Sequence, residues 1–246
     1  MDTAEKTNIL GLIPARGGSK SITRKNMAEV GGRRLLEWSV EAALNCPELD
    51  TVCVSSDDEQ MTSFARQLGA EAPFLRPVDL ASDTADTASA AIHALDWFKA
   101  NRATTFTHVC LLQPTSPFRL VSDISETVKC ALMNDAAVAM TVTESHQNPY
   151  LMRQMDAEGR MTPFMQSSVK HPRRQDLPPA YFINGAVYVA ESHFLRENET
   201  FYPEVPYGHI MPEDRSLQID TPWDLKLADV IARKFFPGRC CKPQNE

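Results

Sequence analysis

The chain lacks an excess of basic residues, and it lacks long apolar runs. Its 246 residues include 25 Lys and Arg against 32 Asp and Glu, a formal net charge of -7. Nucleic acids and bilayer surfaces attract broad basic surfaces, so this balance argues against both as partners. No apolar run approaches the roughly 20 residues of a membrane span. The first residues, MDTAEKTN, also lack the apolar segment of a signal peptide. These absences predict a cytoplasmic protein that binds neither nucleic acid nor membrane.

Several motifs of covalent and metal chemistry are missing as well. The six cysteines form no CxxC pair and the six histidines form no HExxH motif. The chain contains no GxSxG, and neither a Walker GxxxxGK[ST] loop nor a GxGxxG loop. No residue therefore stands out as a covalent nucleophile. This favours in-line attack by a substrate hydroxyl, for which an enzyme supplies positioning and charge neutralisation.

Apolar patterning alternates between strands and helices along most of the chain. It predicts strands at 8–13, 51–56, 71–75, 107–113, 136–143, 181–191 and 216–220. It predicts helices at 35–45, 60–69, 87–100, 122–133 and 222–236. This order indicates an α/β fold, with a mainly parallel sheet and helices on both faces. Residues 143–180 break the pattern with prolines and polar residues, which indicates either a β-ribbon excursion or a mobile lid.

The basic residues concentrate in one short stretch, GLIPARGGSKSITRKN, at residues 11–26. It follows the first predicted strand, so it should lie at the carboxyl edge of the sheet, where such folds bind ligands. Gly17 and Gly18 allow backbone N–H groups to approach a ligand closely. Arg16, Lys20 and Lys25 can neutralise a polyanion such as a nucleoside triphosphate. The alternative is a solvated basic turn.

Acidic residues follow several predicted strands. Asp220 is the best candidate for binding Mg²⁺, which usually takes one or two carboxylates together with phosphate oxygens of the substrate. Asp57 and Asp58 are either metal ligands or helix caps, and Asp224 is expected to cap the last helix.

A second polar loop, LLQPTSPFR at residues 111–119, follows another predicted strand. Its two prolines restrict the backbone, and Gln113, Thr115, Ser116 and Arg119 offer polar groups. A rigid loop at this position suits ligand recognition. The alternative is a plain turn between a strand and a helix.

Taken in order, the stretches IPARGGSKSITRKN, VSSDD, LRPVDLASDTADT, LLQPTSPFR, INGAVYV and IDTPWDL resemble the CMP-N-acylneuraminate cytidylyltransferases, from about residue 8 to about residue 232. The resemblance implies a Rossmann-like nucleotidyltransferase domain over residues 1–246, with a dimerisation excursion at about 143–180. It also implies transfer of CMP from CTP to the anomeric hydroxyl of a nine-carbon α-keto acid sugar. The reaction would release pyrophosphate and require Mg²⁺, and the enzyme would be a homodimer.

The resemblance also assigns roles to individual residues. The catalytic set would be Arg16, Lys20, Lys25 and Asp220, with Asp220 as the metal ligand. Nucleotide contacts would come from Arg16, Asn26, Arg76 and Thr87, with Arg76 near the cytosine. The position of the opening loop itself adds Gly17, Gly18 and Ser19 to the predicted nucleotide contacts. Sugar contacts would come from Gln113, Tyr188, Phe201, Tyr202 and, from the partner subunit, Arg174. The chemistry of the polar loop adds Thr115 and Ser116 as further candidates for the sugar.

The sequence departs from the family pattern at the metal motif, where Gln218-Ile219-Asp220 replaces Asp-x-Asp. A neutral amide is a poorer magnesium ligand than a carboxylate. Ser21 and Thr23 replace a Gly and a Pro in the opening loop and leave its basic positions intact. Two alternatives stay open. The sugar could be legionaminic, pseudaminic or ketodeoxyoctonic acid, or the chain could bind nucleotide without turnover.

Overall fold

A six-stranded mixed sheet lies at the centre of the computed structural model, which describes residues 7–82, 86–166 and 173–240 except the side chain of residue 174. The strands are β1 (Ile9–Pro14), β2 (Glu29–Val30), β3 (Arg33–Arg34), β4 (Thr51–Ser55), β5 (His108–Leu111), β6 (Val138–Glu144), β7 (Arg153–Met155), β8 (Met161–Pro163), β9 (Tyr181–Glu191) and β10 (Tyr207–Ile210). The order in the main sheet is β10-β6-β9-β5-β1-β4. Strand β9 is antiparallel to both of its neighbours, and the other pairs are parallel.

Helices cover both faces of this sheet. They are α1 (Leu35–Leu44), α2 (Glu59–Gln67), α3 (Thr87–Arg102), α4 (Val121–Met133), α5 (Ser192–Asn198) and α6 (Pro222–Phe235). Side chains of β1 alternate between the two layers, as a pleated strand requires. Ile9 and Ile13 pack with α1, α2 and α4, whereas Leu10 and Leu12 pack with α3 and α5. Within the described ranges, no helix combines the length and apolar character needed to cross a bilayer.

The predicted fold class is confirmed, but two predicted strands are wrong. In the stretch 71–75, only Glu71 bridges to a strand, at Cys53, and Pro73 has no N–H with which to extend the pairing. The stretch 216–220 forms no strand either. A single backbone hydrogen bond from Ile219 N–H to the Thr115 carbonyl, 2.8 Å long, fixes it beside the 111–119 loop.

The irregular segment predicted at 143–180 contains a small β-ribbon. Strands β7 and β8 pair antiparallel outside the main sheet, with Met155 opposite Met161. Both methionines and the neighbouring Phe164 are exposed. A short 3₁₀ helix at Arg174–Asp176 precedes β9. The ribbon therefore presents apolar side chains to solvent.

Candidate functional site

One cleft of about 410 Å³ gathers most of the residues that the sequence singled out. It opens at the carboxyl ends of the parallel strands β1 and β5, which the loops 15–24 and 112–120 follow. Its lining residues are Pro14, Arg16, Gly18, Ser19, Lys20, Ser21, Lys25, Asn26, Arg76, Leu80, Ser82, Asp86, Thr87, Gln113, Pro114, Thr115, Gln218 and Asp220. Residues from four separated stretches of the chain therefore meet in one concave site, as ligand-binding sites in such sheets do.

The basic opening loop is fixed to the turn between β4 and α2. The Gly17 N–H donates to Asp57 Oδ1 at 2.8 Å, and Arg24 pairs with Asp58 at 2.9 Å. Asp58 also accepts the Gln60 N–H at 2.8 Å, which caps α2. These contacts favour the capping interpretation for Asp58, whereas Asp57 caps no helix and instead holds the opening loop through the Gly17 N–H. They also place Gly17 outside the cleft, contrary to the expectation that its N–H meets the ligand.

Two further hydrogen bonds hold the opening loop at Arg16. Asn26 is buried, and its Nδ2 donates to the Arg16 carbonyl at 3.0 Å. Arg16 Nη1 in turn donates to the Ser82 carbonyl at 3.2 Å. Asn26 thus lines the cleft and also positions the backbone of Arg16.

Arg76 is the most unusual charged residue of the site. Only 6% of it is exposed, and its Nε and Nη2 have no hydrogen-bond partner in the described part of the chain. Burial lowers the pKa of Arg76. The negative charge of Asp57 raises this pKa only in part, and the positive charge of Arg16 lowers it further. A buried guanidinium without acceptors is costly, so its placement against the cleft is suited to an acceptor-rich ligand.

Lys25 and Asp220 form a pair at another wall of the cleft. Lys25 Nζ donates to the Ile219 carbonyl at 3.0 Å and to Asp220 Oδ1 at 3.1 Å. Asp224 accepts the backbone N–H groups of Asp220 and Thr221, at 3.0 and 2.7 Å. Although burial acts in the opposite sense, these donors lower the pKa of Asp224. The prediction that Asp224 caps the last helix is confirmed.

The chemistry of these side chains fits a magnesium ion carried by phosphate oxygens. The described residues hold no group of three His, Cys, Asp or Glu that could bind a metal unaided. Two carboxylates line the cleft, Asp86 and Asp220. Asp86 Oδ1 accepts the Ser89 N–H at 2.6 Å and caps α3, which leaves Asp220. One carboxylate is sufficient where the substrate supplies the remaining oxygens.

Several predicted sugar-binding residues lie elsewhere. Ser116 is fully buried and donates to the Asn184 carbonyl at 3.1 Å, so its placement does not support contact with a ligand. Tyr188 and Phe201 are buried in the core, outside the lining of the cleft. The Tyr188 hydroxyl lies 3.1 Å from that of Tyr202, which is exposed. The Arg174 side chain lies outside the described residues.

Two buried residues that the sequence analysis gave no such role hold the site together. Asn184 accepts from Thr141 Oγ1 at 2.6 Å and donates to Ser216 Oγ at 2.9 Å. Arg119 is completely buried and donates to the Ala186 carbonyl, to Ser39 Oγ and to the Gln113 carbonyl. Burial lowers the pKa of Arg119 to about 9. In the sequence, Asn184 and Arg119 stand out only as polar residues of the stretches INGAVYV and LLQPTSPFR. Their polarity does not show that they are buried.

Two solved structures share the fold of this chain. A solved structure of a CMP:2-keto-3-deoxy-manno-octonic acid synthetase complexed with CTP is similar over 93% of this chain and all of its own, with a TM-score of 0.68 and 16% identity. A solved 4-diphosphocytidyl-2C-methyl-D-erythritol synthase from Anaerococcus prevotii is similar with a TM-score of 0.60 and 13% identity. These likenesses define the class as α/β proteins with the nucleotidyltransferase fold.

The sequence comparisons specify the family. The model of the cytidylyltransferase family matches residues 10–229, so the chain belongs to that family. A CMP-N,N'-diacetyllegionaminic acid synthase from Legionella pneumophila is 34% identical over 91% of this chain and 95% of its own length. An N-acylneuraminate cytidylyltransferase from Escherichia coli is 32% identical over 93% of this chain, which spans about half of that relative (53%). A pseudaminic acid cytidylyltransferase from Campylobacter jejuni is 30% identical over 90% of this chain and 95% of its own length. The resemblance noted in the sequence is confirmed.

Proposed function

We propose that this protein transfers CMP from CTP to the anomeric hydroxyl of a sialic-acid-type nonulosonic acid and releases pyrophosphate. The observation that carries the proposal is the meeting, in one cleft, of a basic loop and the buried Arg76 guanidinium, whose Nε and Nη2 have no acceptor among the described residues. Membership of the cytidylyltransferase family supports CTP as the donor. The donor in turn favours the cytoplasm as the compartment. The preferred acceptor is an N-acylneuraminate, with legionaminic, pseudaminic and ketodeoxyoctonic acids as alternatives.

In this proposal the nucleotide spans two walls of the cleft. Arg16 and Lys20 bind the β- and γ-phosphates, which leave as pyrophosphate, and the N–H groups of Gly18 and Ser19 approach the same oxygens. Arg76 donates to the cytosine, whose carbonyl and ring nitrogen are acceptors. Thr87, at the start of α3, contacts the nucleotide from the opposite side. Cations around a leaving pyrophosphate stabilise charge that develops in the transition state.

Asp220 would hold Mg²⁺, and the ion would neutralise charge on the phosphates. Lys25 orients the Asp220 carboxylate through its 3.1 Å contact and adds a positive charge beside the reacting phosphorus. Gln113 and Thr115 position the acidic sugar, so that its anomeric hydroxyl faces the α-phosphate. Catalysis then requires no covalent enzyme intermediate.

We further propose a homodimer formed through the ribbon at about 143–180, with Arg174 of one subunit binding the sugar carboxylate in the site of the other. The support is the exposed apolar surface of that ribbon, where Met155 and Met161 are 70% and 67% exposed. Replacing both by Asp is expected to convert the protein to monomers in light scattering. Met133→Asp, at a site 84% exposed on α4, is the matched control. A dimer that survives the double substitution would place the interface elsewhere.

The deciding experiment measures pyrophosphate release by the purified protein with Mg²⁺, CTP and a panel of acidic sugars. The panel holds N-acetylneuraminic, legionaminic, pseudaminic and ketodeoxyoctonic acids. We expect release with at least one of them, none without Mg²⁺ and none with ATP in place of CTP. Binding of CTP without release for any sugar would refute the transferase proposal and favour a nucleotide-binding protein without turnover.

A further inference from the structure

We infer that Gln218 binds the acidic sugar as one half of an amide pair with Gln113, and is not a metal ligand. The inference rests on the proposed function and names a specificity-determining residue for it. Both glutamines line the cleft. They converge on Gly185, where a Cβ would lie 3.0 Å from Gln113 Oε1 and 3.2 Å from Gln218 Oε1. The oxygens of two neutral amides thus both lie beside one residue that has no side chain.

Two observations favour glycine at position 185. Its φ of +71° lies in the left-handed region, which L-residues rarely adopt. A methyl group would also press on both amide oxygens at distances tighter than ordinary van der Waals contact. The glycine therefore leaves room for the two amides at the wall of the cleft.

The backbone around Gln218 is anchored on both sides. Ser216 Oγ donates to the Pro212 carbonyl at 2.8 Å and accepts from the buried Asn184. Ile219 is fully buried, with its N–H bonded to the Thr115 carbonyl and its carbonyl bonded to Lys25 Nζ. The Gln218 side chain therefore projects from a fixed backbone, as expected of a residue that recognises a ligand.

The backbone around Gln113 and Gly185 is anchored as well. Arg119 donates to the Gln113 carbonyl and to the carbonyl of Ala186, which follows Gly185. Asn184, which precedes Gly185, is buried and fully engaged in hydrogen bonds. The three segments that build the amide pair are thus joined by buried side chains before any ligand arrives.

The chemistry of the pair indicates what it binds. Each amide offers two N–H donors and a carbonyl acceptor and carries no charge. Such a pair matches the hydroxyl and acylamino groups of a sugar, which both donate and accept. Mg²⁺ prefers carboxylates and phosphate oxygens, and Asp220 two residues away provides the carboxylate.

The test is Gln218→Glu, which keeps the shape and one acceptor but removes the donor N–H groups and adds a negative charge. We expect the KM for the sugar acid found with the wild-type enzyme to rise about tenfold or more, the loss of roughly one hydrogen bond. The KM for CTP should change less than twofold. Gln67→Glu, the same substitution on the exposed surface of α2, should leave both constants unchanged.

A second readout does not depend on turnover. Binding of Mn²⁺ in the presence of CTP, followed by electron paramagnetic resonance, should be unchanged in Gln218→Leu, which removes the amide and adds no carboxylate. Weaker Mn²⁺ binding in Gln218→Leu would make position 218 part of the metal site, and that result, or an unchanged KM for the sugar in Gln218→Glu, would overturn the inference. Wild-type protein that releases pyrophosphate with no sugar would instead refute the proposed function itself.

A double-mutant cycle tests the pair directly. Gln113→Glu should raise the KM for the sugar by a similar factor. Because the two amides converge on one group, the effects of the single variants should not add in the double variant. Additive effects would separate the two residues and refute the pair.

Discussion

Replacement of Arg76 by Met should strengthen the fold and weaken nucleotide binding at the same time. The Arg76 side chain is buried, and two of its nitrogens lack partners in the described structure. Each buried polar group without a partner costs about 1–3 kcal/mol, and more if charged. Methionine has a similar length and no such groups. We therefore expect the free energy of unfolding of the nucleotide-free protein to rise by about 1–3 kcal/mol.

The expected rise in the free energy of unfolding follows from the burial of the Arg76 charge. Burial lowers the pKa of Arg76, which means that the folded protein disfavours the charged form. The cost is present wherever the guanidinium remains protonated, which includes neutral pH. For a chain of this size, each kcal/mol shifts Tm by about 2–4 °C, so urea unfolding and calorimetry both resolve the change.

Binding of CTP should respond in the opposite direction. A hydrogen bond to a charged group contributes about 1.5–3 kcal/mol, so Kd for CTP should rise at least tenfold in isothermal titration calorimetry. Arg66→Met is the matched control, since Arg66 donates to the Ala72 carbonyl and has its acceptor within the fold. That variant should lose stability and keep its affinity for CTP. A destabilised Arg76→Met protein with normal CTP binding would refute the reasoning.

The remaining predictions concern the paired charges and the buried supports. Asp220→Asn should lower kcat by at least about 100-fold with an unchanged circular dichroism spectrum; wild-type turnover would remove Asp220 from the metal site. Lys25→Met should lower kcat more than it raises the KM for CTP, because Lys25 orients Asp220; the reverse split would make it a binding residue only. Arg119→Met removes the donor from three acceptors, two of them buried, and should cost at least about 2 kcal/mol in urea unfolding, a cost that a wild-type midpoint would contradict. Arg174→Ala should raise the KM for the sugar acid more than that for CTP, and equal effects would argue against recognition of the sugar carboxylate.

The sequence predicted the parallel core because its strands are apolar on both faces. Strands β1, β4 and β5 read as continuous apolar runs, and such runs are typical of strands buried between helix layers. Strand β10 escaped prediction because Gly208 and His209 interrupt its apolar pattern. The short helix α5 escaped because SHFLREN carries too few apolar residues to show a period. Both elements form through contacts with distant segments, which a local pattern does not contain.

The candidate site was also predicted only in part, because a sequence pattern shows neighbouring residues and not contacts between distant ones. The basic loop could be found because its charges are adjacent in the sequence and stand out against an acidic chain. The roles of Asn184 and Arg119 could not be found, since both act through hydrogen bonds that span many residues, 67 between Arg119 and Ala186. Ser116 was assigned to the ligand on its polarity alone, but burial directs its hydroxyl to a backbone carbonyl.

The connection of three segments through Asn184 and Arg119 also separates the side chains that hold the wall of the cleft from the side chains that line it. The contacts of Arg119 at this wall are to main-chain carbonyls, whereas the side chains at positions 113, 115 and 218 face the cleft. Those three positions can be randomised without removing a scaffold contact made by a side chain. A combinatorial library restricted to them would therefore test which of these side chains select the acceptor while the scaffold of the cleft stays intact.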